Sequence, residues 1–142
     1  MLVAFYKGRS RLFNRLVSWW TRSEYSHCEV VLGHAVGGLT LCGSASFMDG
    51  GVRVKAIHLD PVKWDVLDVQ GDLNAARQWF ADNNGRRYDA RGIFGFVWSA
   101  SRDSRGRLFC SEACAAALGL KGGERFSPGL LRQALIWRRD AR

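Results

Sequence analysis

The sequence predicts an α+β fold in which an antiparallel β-sheet packs against a helix bearing a cysteine in its first turn, and three observations lead there. Leu108 to Gly119 runs from a short apolar stretch into an alanine-rich segment, the pattern of a strand or loop end entering a helix. His27 to Gln70 reads as strands throughout, with Gly33 to Gly38 marking one turn and Asp49-Gly50-Gly51 another, which suits an antiparallel sheet. With 142 residues, 47% hydrophobic and 12% aromatic, the chain can fill one domain but not two ordinary ones, so a single domain over residues 1–142 is expected.

The elements follow in order. Leu2 to Tyr6 suits a first strand ended by Gly8, and Ser10 to Trp20 suits a helix capped by Ser10. Its apolar residues Leu12, Phe13, Leu16, Val17, Trp19 and Trp20 stand against Arg9, Arg11, Arg15 and Arg22. Packing on the sheet is the expected use of that stripe; a membrane surface and a substrate groove are the alternatives. Asp72 to Asn84 reads as a helix through Leu73, Ala76, Trp79 and Phe80, ended near Asn84-Gly85. Gly85 to Asp89 is a turn, with Asp89 a candidate cap, and Ser99 to Arg107 a polar loop before the cysteine. Ser127 to Leu135 is a short helix with Ser127 as cap and Pro128 at its first position, followed by a basic tail from Trp137.

Cys110 falls at the start of the alanine-rich helix, where unpaired N–H groups and the helix dipole stabilise an anion. A thiol there loses its proton more readily, which makes Cys110 a candidate nucleophile; a small buried residue on a packed helix is the other reading. The partner for such a thiol is His27, because strand alternation in Tyr25-Ser26-His27-Cys28-Glu29-Val30-Val31 places His27 and Glu29 on one face. An imidazole takes the thiol proton and a carboxylate or hydroxyl holds the ring in orientation. His34 and His58 lack metal-ligand spacing with His27. Cys28, Cys42, Cys110 and Cys114 lack both the density of a disulfide scaffold and the short paired spacings of structural zinc, so reduced thiols and no metal or cofactor are expected.

The segments Tyr25-Ser26-His27-Cys28-Glu29-Val30-Val31 and Phe109-Cys110-Ser111-Glu112 together resemble the circularly permuted branch of the NlpC superfamily of papain-like cysteine peptidases and amidases. In that branch the histidine strand precedes the cysteine helix. Gly50 to Val54, Arg87-Tyr88-Asp89 and Ser127 to Leu130 extend the likeness over most of the chain from about Tyr25 onward. The resemblance implies a papain-like fold with Cys110 as nucleophile and His27 as base. Many relatives carry a glutamate on the next strand, where Ser44 stands here, so the third member is Glu29, with Ser44 as its rival. Tyr88 and Asp89, which open a segment near the cleft in related proteins, stand with Tyr25 and Ser111 as substrate-binding candidates.

What the resemblance implies for function is cleavage of an amide bond, in peptidoglycan stem peptides first, through an acyl-enzyme. A thioesterase, lipid amidase or acyltransferase is the enzymatic alternative, and a non-catalytic binding or phage-structural module of the same fold is the other. The net charge of +8 implies attraction to polyanions, among them an anionic cell-envelope polymer. The arginines are spread over every segment and no nucleic-acid motif accompanies them, so nucleic acid is not an expected partner, while virion proteins are a candidate one. Met1 to Tyr6 is apolar too briefly for a signal peptide or a membrane span. Synthesis in the cytoplasm is therefore expected, with delivery to the periplasm by lysis, injection or a partner.

Overall fold

A computed structural model describes residues 1–7, 15, 19, 22–87, 109–123 and 126–141. Its strands are β1 (Leu2–Tyr6), β2 (His27–His34), β3 (Thr40–Ser46), β4 (Gly51–Ile57) and β5 (Trp64–Asp68), and among the described residues the α-helices are α1 (Leu73–Asp82), α2 (Cys110–Ala117) and α3 (Pro128–Asp140). The strands form one sheet in the order β4-β3-β2-β1-β5, every neighbouring pair antiparallel. The expected α+β architecture is therefore present. No helix among the described residues is long and apolar enough to cross a membrane. The helix expected over Ser10 to Trp20 falls largely outside the described residues, as do Tyr88, Asp89 and the loop before Phe109.

β1 lies between β2 and β5, which explains its unalternated apolar text. Val3, Ala4 and Phe5 are all fully buried, as a strand covered on both faces requires. The register Val3↔Val30, Phe5↔Cys28 and Tyr6↔His27 lines up β1 with β2, and Val30↔Gly43 then Gly43↔Val54 carry the rows through β3 to β4. Period-two alternation divides β2 into Cys28, Val30 and Leu32, which join the hydrophobic core, and His27 and Glu29 on the opposite face. The turn expected over Gly33 to Gly38 begins later. Gly33 still pairs with Leu41 inside the ladder, past a register shift, and the reversal is a 3-10 turn over Val36–Gly38 whose Gly37 and Gly38 take positive φ.

α1 starts where expected, with the Asp72 carboxylate accepting from Asn74 N–H at 2.8 Å and Ala75 N–H at 3.1 Å. Its Phe80 is fully buried over β3, where Gly43 leaves the room: a Cβ there would lie 2.6 Å from the Phe80 ring. Gly43→Ala is accordingly expected to destabilise the fold by about 1–3 kcal/mol through overpacking, seen as a lower urea midpoint at unchanged m-value. α2 ends in a Schellman motif, with Leu120 N–H bonded to Ala115 O at 2.8 Å and Gly119 at φ 68°. α3 is capped by the Ser127 hydroxyl, which accepts from Leu130 N–H, and buries Leu131 and Leu135 one turn apart. It continues to Asp140, so the basic stretch expected as a tail is the last turn of this helix, where Arg138 and Arg139 complement its dipole.

Candidate active site

α2 is the element that builds the site, because it packs against β2 and β3 and meets α1 and α3 on its other sides. Ala113, Cys114, Ala115 and Ala117 are small, buried side chains that let the helix approach the sheet closely. Phe109 is the extended residue before the first turn, and its N–H donates to Glu112 Oε2 at 2.8 Å, closing the reciprocal half of a capping box. Cys110 is thus the first helical residue, 5% exposed, at the positive end of the helix dipole.

His27 opens β2 opposite Tyr6, and Cys110 is the thiol that lies close enough to act on its titration. Its Nε2–H donates to Glu29 Oε1 at 2.8 Å, the contact between same-face neighbours two residues apart that the strand alternation allows. With Nε2 engaged, Nδ1 is the nitrogen left to serve Cys110. The His27 and Trp64 ring centroids are 6.4 Å apart in an edge-to-face arrangement at 70°, and Trp64 also packs on Tyr6. Cys110, His27 and Glu29 therefore form a connected line.

Electrostatics polarise that line into ions. A hydrogen bond from the Cys28 thiol is the largest influence lowering the Cys110 pKa; burial opposes it, and the charge and hydrogen bond of His27 then carry Cys110 well below the ordinary thiol range. Burial disfavours the imidazolium, but the Cys110 thiolate and then Glu29 outweigh it and push His27 up to about 10. Burial also pushes the Cys28 thiol well upward, so Cys28 keeps its proton and donates it. A thiolate, an imidazolium and a carboxylate in sequence are the resting state this arrangement favours. It is competent for nucleophilic attack on a carbonyl.

Glu29 is 1% exposed and would be costly as an anion without a cation beside it. Arg53 of β4 supplies one, with Nη1 2.6 Å from Glu29 Oε2 and Nη2 2.5 Å from Glu29 Oε1, a two-pronged clamp reaching across β3. Arg53 Nε in turn donates to Asp49 Oδ2 at 2.9 Å, and Lys55 Nζ to Asp49 Oδ1 at 3.1 Å. The hydrogen bond from Arg53 is the main reason that Asp49 is pulled down to about 2. Burial raises the Glu29 carboxyl, but the Arg53 hydrogen bond and then His27 bring it below its ordinary value. The carboxylate is thus held ionised and fixed from both sides.

The remaining candidates sit elsewhere. Ser44 is fully buried and its hydroxyl donates to Cys28 O at 2.6 Å, tying β3 to β2, so Glu29 and not Ser44 contacts His27. The Tyr25 hydroxyl donates to Asp65 Oδ2 at 2.6 Å, Lys7 Nζ reaches Asp65 Oδ1 at 2.6 Å, and the Arg132 guanidinium lies over the Tyr25 ring. Tyr25 is thereby a buried post between β1, β5 and α3. Ser111 is 2% exposed and its hydroxyl donates to the Phe126 carbonyl, which anchors the chain entering α3. Tyr88 and Asp89 lie outside the described residues. Two functional side chains escaped the sequence reading: Arg53, which was counted among the dispersed surface arginines, and Cys28, whose thiol faces Cys110. Among the described residues no three His, Cys, Asp or Glu side chains are grouped to hold a metal ion. Compared with known proteins, the sequence matches no family model and no curated protein.

Proposed function

We propose that this chain is a cysteine hydrolase that cleaves an amide bond, with peptidoglycan stem peptides as the leading substrate, on the permuted NlpC-type papain-like plan. The observation that carries this reading is the line Cys110, His27, Glu29, in which the histidine hydrogen-bonds a buried carboxylate and lies close enough to Cys110 for each to shift the other's pKa. A non-catalytic module of the same fold was the natural alternative while the family's usual acid was missing from β3. Glu29 takes that acid's place from the histidine strand itself.

In the proposed cycle the Cys110 thiolate attacks the amide carbonyl while the first-turn N–H groups of α2, that of Cys110 included, receive the developing oxyanion. The His27 imidazolium gives its proton to the leaving amine, which departs and leaves an acyl-thioester on Cys110. Neutral His27 then takes a proton from water, hydroxide adds to the thioester, and the acid product leaves as the thiolate and imidazolium are restored. Glu29 holds the ring throughout and stabilises its charge, with Arg53 fixing Glu29 from behind. The basic surface implied by the +8 net charge suits an anionic wall polymer.

Purified muropeptides with an intact stem, incubated with the full chain and separated by mass, test the proposal. Wild type is expected to release stem fragments, and Cys110→Ala and His27→Ala to lower the rate at least about a thousandfold. Turnover of acyl thioesters or lipid amides with muropeptides untouched would move the substrate class. Equal rates in wild type and Cys110→Ala would end the nucleophile assignment.

A further inference from the structure

Cys28 acts on the Cys110 pKa, yet the hydrolytic cycle makes and breaks no bond at its sulfur. Cys28 is fully buried on the core face of β2, against which α2 packs, and Cys110 belongs to the same buried cluster and lies close enough to act on the Cys28 thiol. We propose that Cys28 and Cys110 form a reversible disulfide when the protein meets a peroxide, so that Cys28 serves as the resolving cysteine for an oxidised Cys110.

The chemistry balances with hydrogen peroxide as the only co-reactant. The Cys110 thiolate attacks one peroxide oxygen, the O–O bond breaks, and the leaving hydroxide takes the His27 imidazolium proton and departs as water, giving a sulfenic acid on Cys110. The Cys28 sulfur then attacks the sulfenic sulfur, the S–O bond breaks, and the oxygen departs as water with the Cys28 proton. Two thiols are oxidised by two electrons and one peroxide is reduced to two waters. A thiol reductant reverses the bond.

Placement selects this pair over the other cysteines. Cys110 is 5% exposed while Cys28, Cys42 and Cys114 are at 0%, so Cys110 is the thiol an oxidant reaches first. Cys114 lies four residues along the same helix, and helical neighbours at that spacing hold their Cβ atoms about 5–6 Å apart, against the roughly 3.5–4.5 Å a disulfide needs. Cys28 lies on a different element, on the face of β2 that α2 covers, so no helix has to unwind for its sulfur and that of Cys110 to close. Cys114 also neighbours Cys28, but it is fully buried and the oxidant meets Cys110 first. A sulfenic acid with no such neighbour goes on to the irreversible sulfinic acid. The disulfide would therefore protect the nucleophile as well as silence it.

The experiment treats the reduced full chain with hydrogen peroxide at neutral pH, then denatures it in N-ethylmaleimide and maps the cysteines by mass spectrometry. Cleavage after Glu29 and Glu112, combined with trypsin, separates Cys28 from Cys42 and Cys110 from Cys114. A Cys28–Cys110 cross-linked peptide that disappears after dithiothreitol is the expected result, and Cys28→Ala should instead accumulate a dimedone-reactive or over-oxidised Cys110. If that variant does not fold, the wild-type map decides alone. Sulfinic acid on Cys110 beside an alkylated Cys28, a cross-link to any other cysteine, or four alkylated thiols would overturn the proposal. Silencing of activity rests on the hydrolase reading, but the map needs no substrate. A bond formed by a protein that turns over nothing would sink the hydrolase alone, and turnover without the bond would sink the disulfide alone.

Discussion

At pH 6 Cys110 is expected to alkylate as a thiolate, and His27→Ala to lose at least about tenfold of that rate. A free thiol titrates near about 8.5 and reacts slowly at pH 6, because the thiolate is the nucleophile. Cys110 is held well below that range, so its reactivity should form a plateau that extends to acid pH. Removing His27 deletes influences that favour the thiolate while leaving burial in place, which pushes the rise of the profile upward. Cys28 must stay in both proteins, because its hydrogen bond is the largest influence lowering Cys110. Replacing it as a background thiol would erase part of the effect being measured. Cys28, Cys42 and Cys114 are fully buried, so brief labelling of the native protein followed by peptide mapping isolates Cys110 without mutating them. Two coincident profiles rising near about 8.5 would dissolve the ion pair.

The parts of this molecule that sequence made legible are those set by local rules. Asp72 and Ser127 cap helices because a side-chain oxygen there meets free N–H groups within three residues, and strand alternation alone puts His27 beside Glu29. What was not legible depends on which strands become neighbours. Arg53 is 24 residues from Glu29, and only the β2-β3-β4 order, which one more intervening strand would have broken, makes it the carboxylate's clamp. The clue available beforehand was indirect: a carboxylate on a strand of otherwise apolar residues needs a buried cation, and an arginine at an alternating position of a nearby strand is the candidate. Ser44 illustrates the converse. Its position matched a family acid, yet a hydroxyl on a central strand finds a backbone carbonyl more readily than a distant ring, and it bonds to Cys28 O. The end of α3 was missed for a related reason, since a run of arginines reads as a solvated tail unless the preceding helix has carbonyls to offer it.

Glu29→Ala is expected to be the most destabilising single change at the site, by about 3–5 kcal/mol. The Arg53 side chain is only 15% exposed, and losing its partner leaves a mostly buried guanidinium with Asp49 alone to answer it. Urea denaturation at pH 7 measures the loss. Replacing both partners, Glu29→Leu with Arg53→Met, should return stability to within about 1–2 kcal/mol of wild type, because two apolar side chains remove the desolvation cost along with the attraction. The pH-6 alkylation of Cys110 should fall in the double variant, since His27 then has no carboxylate to orient it. Recovered stability without recovered reactivity would identify Glu29 as a positioning residue and not merely half of a structural pair. The pH profile of stability gives an independent reading. Glu29 has its pKa lowered on folding, so its contribution is present above about 4.5 and is lost as pH falls through the folded value. His27 has its pKa raised, so its contribution is complete below about 6.5 and is lost as pH rises towards about 10. The double variant should flatten the acid limb, where Glu29 acts, and bring the alkaline loss to lower pH, because the imidazolium keeps Cys110 but loses its carboxylate. A Glu29→Ala cost below about 1 kcal/mol, or an acid limb unchanged by the double substitution, would show that the Arg53–Glu29 clamp does not hold His27 in place.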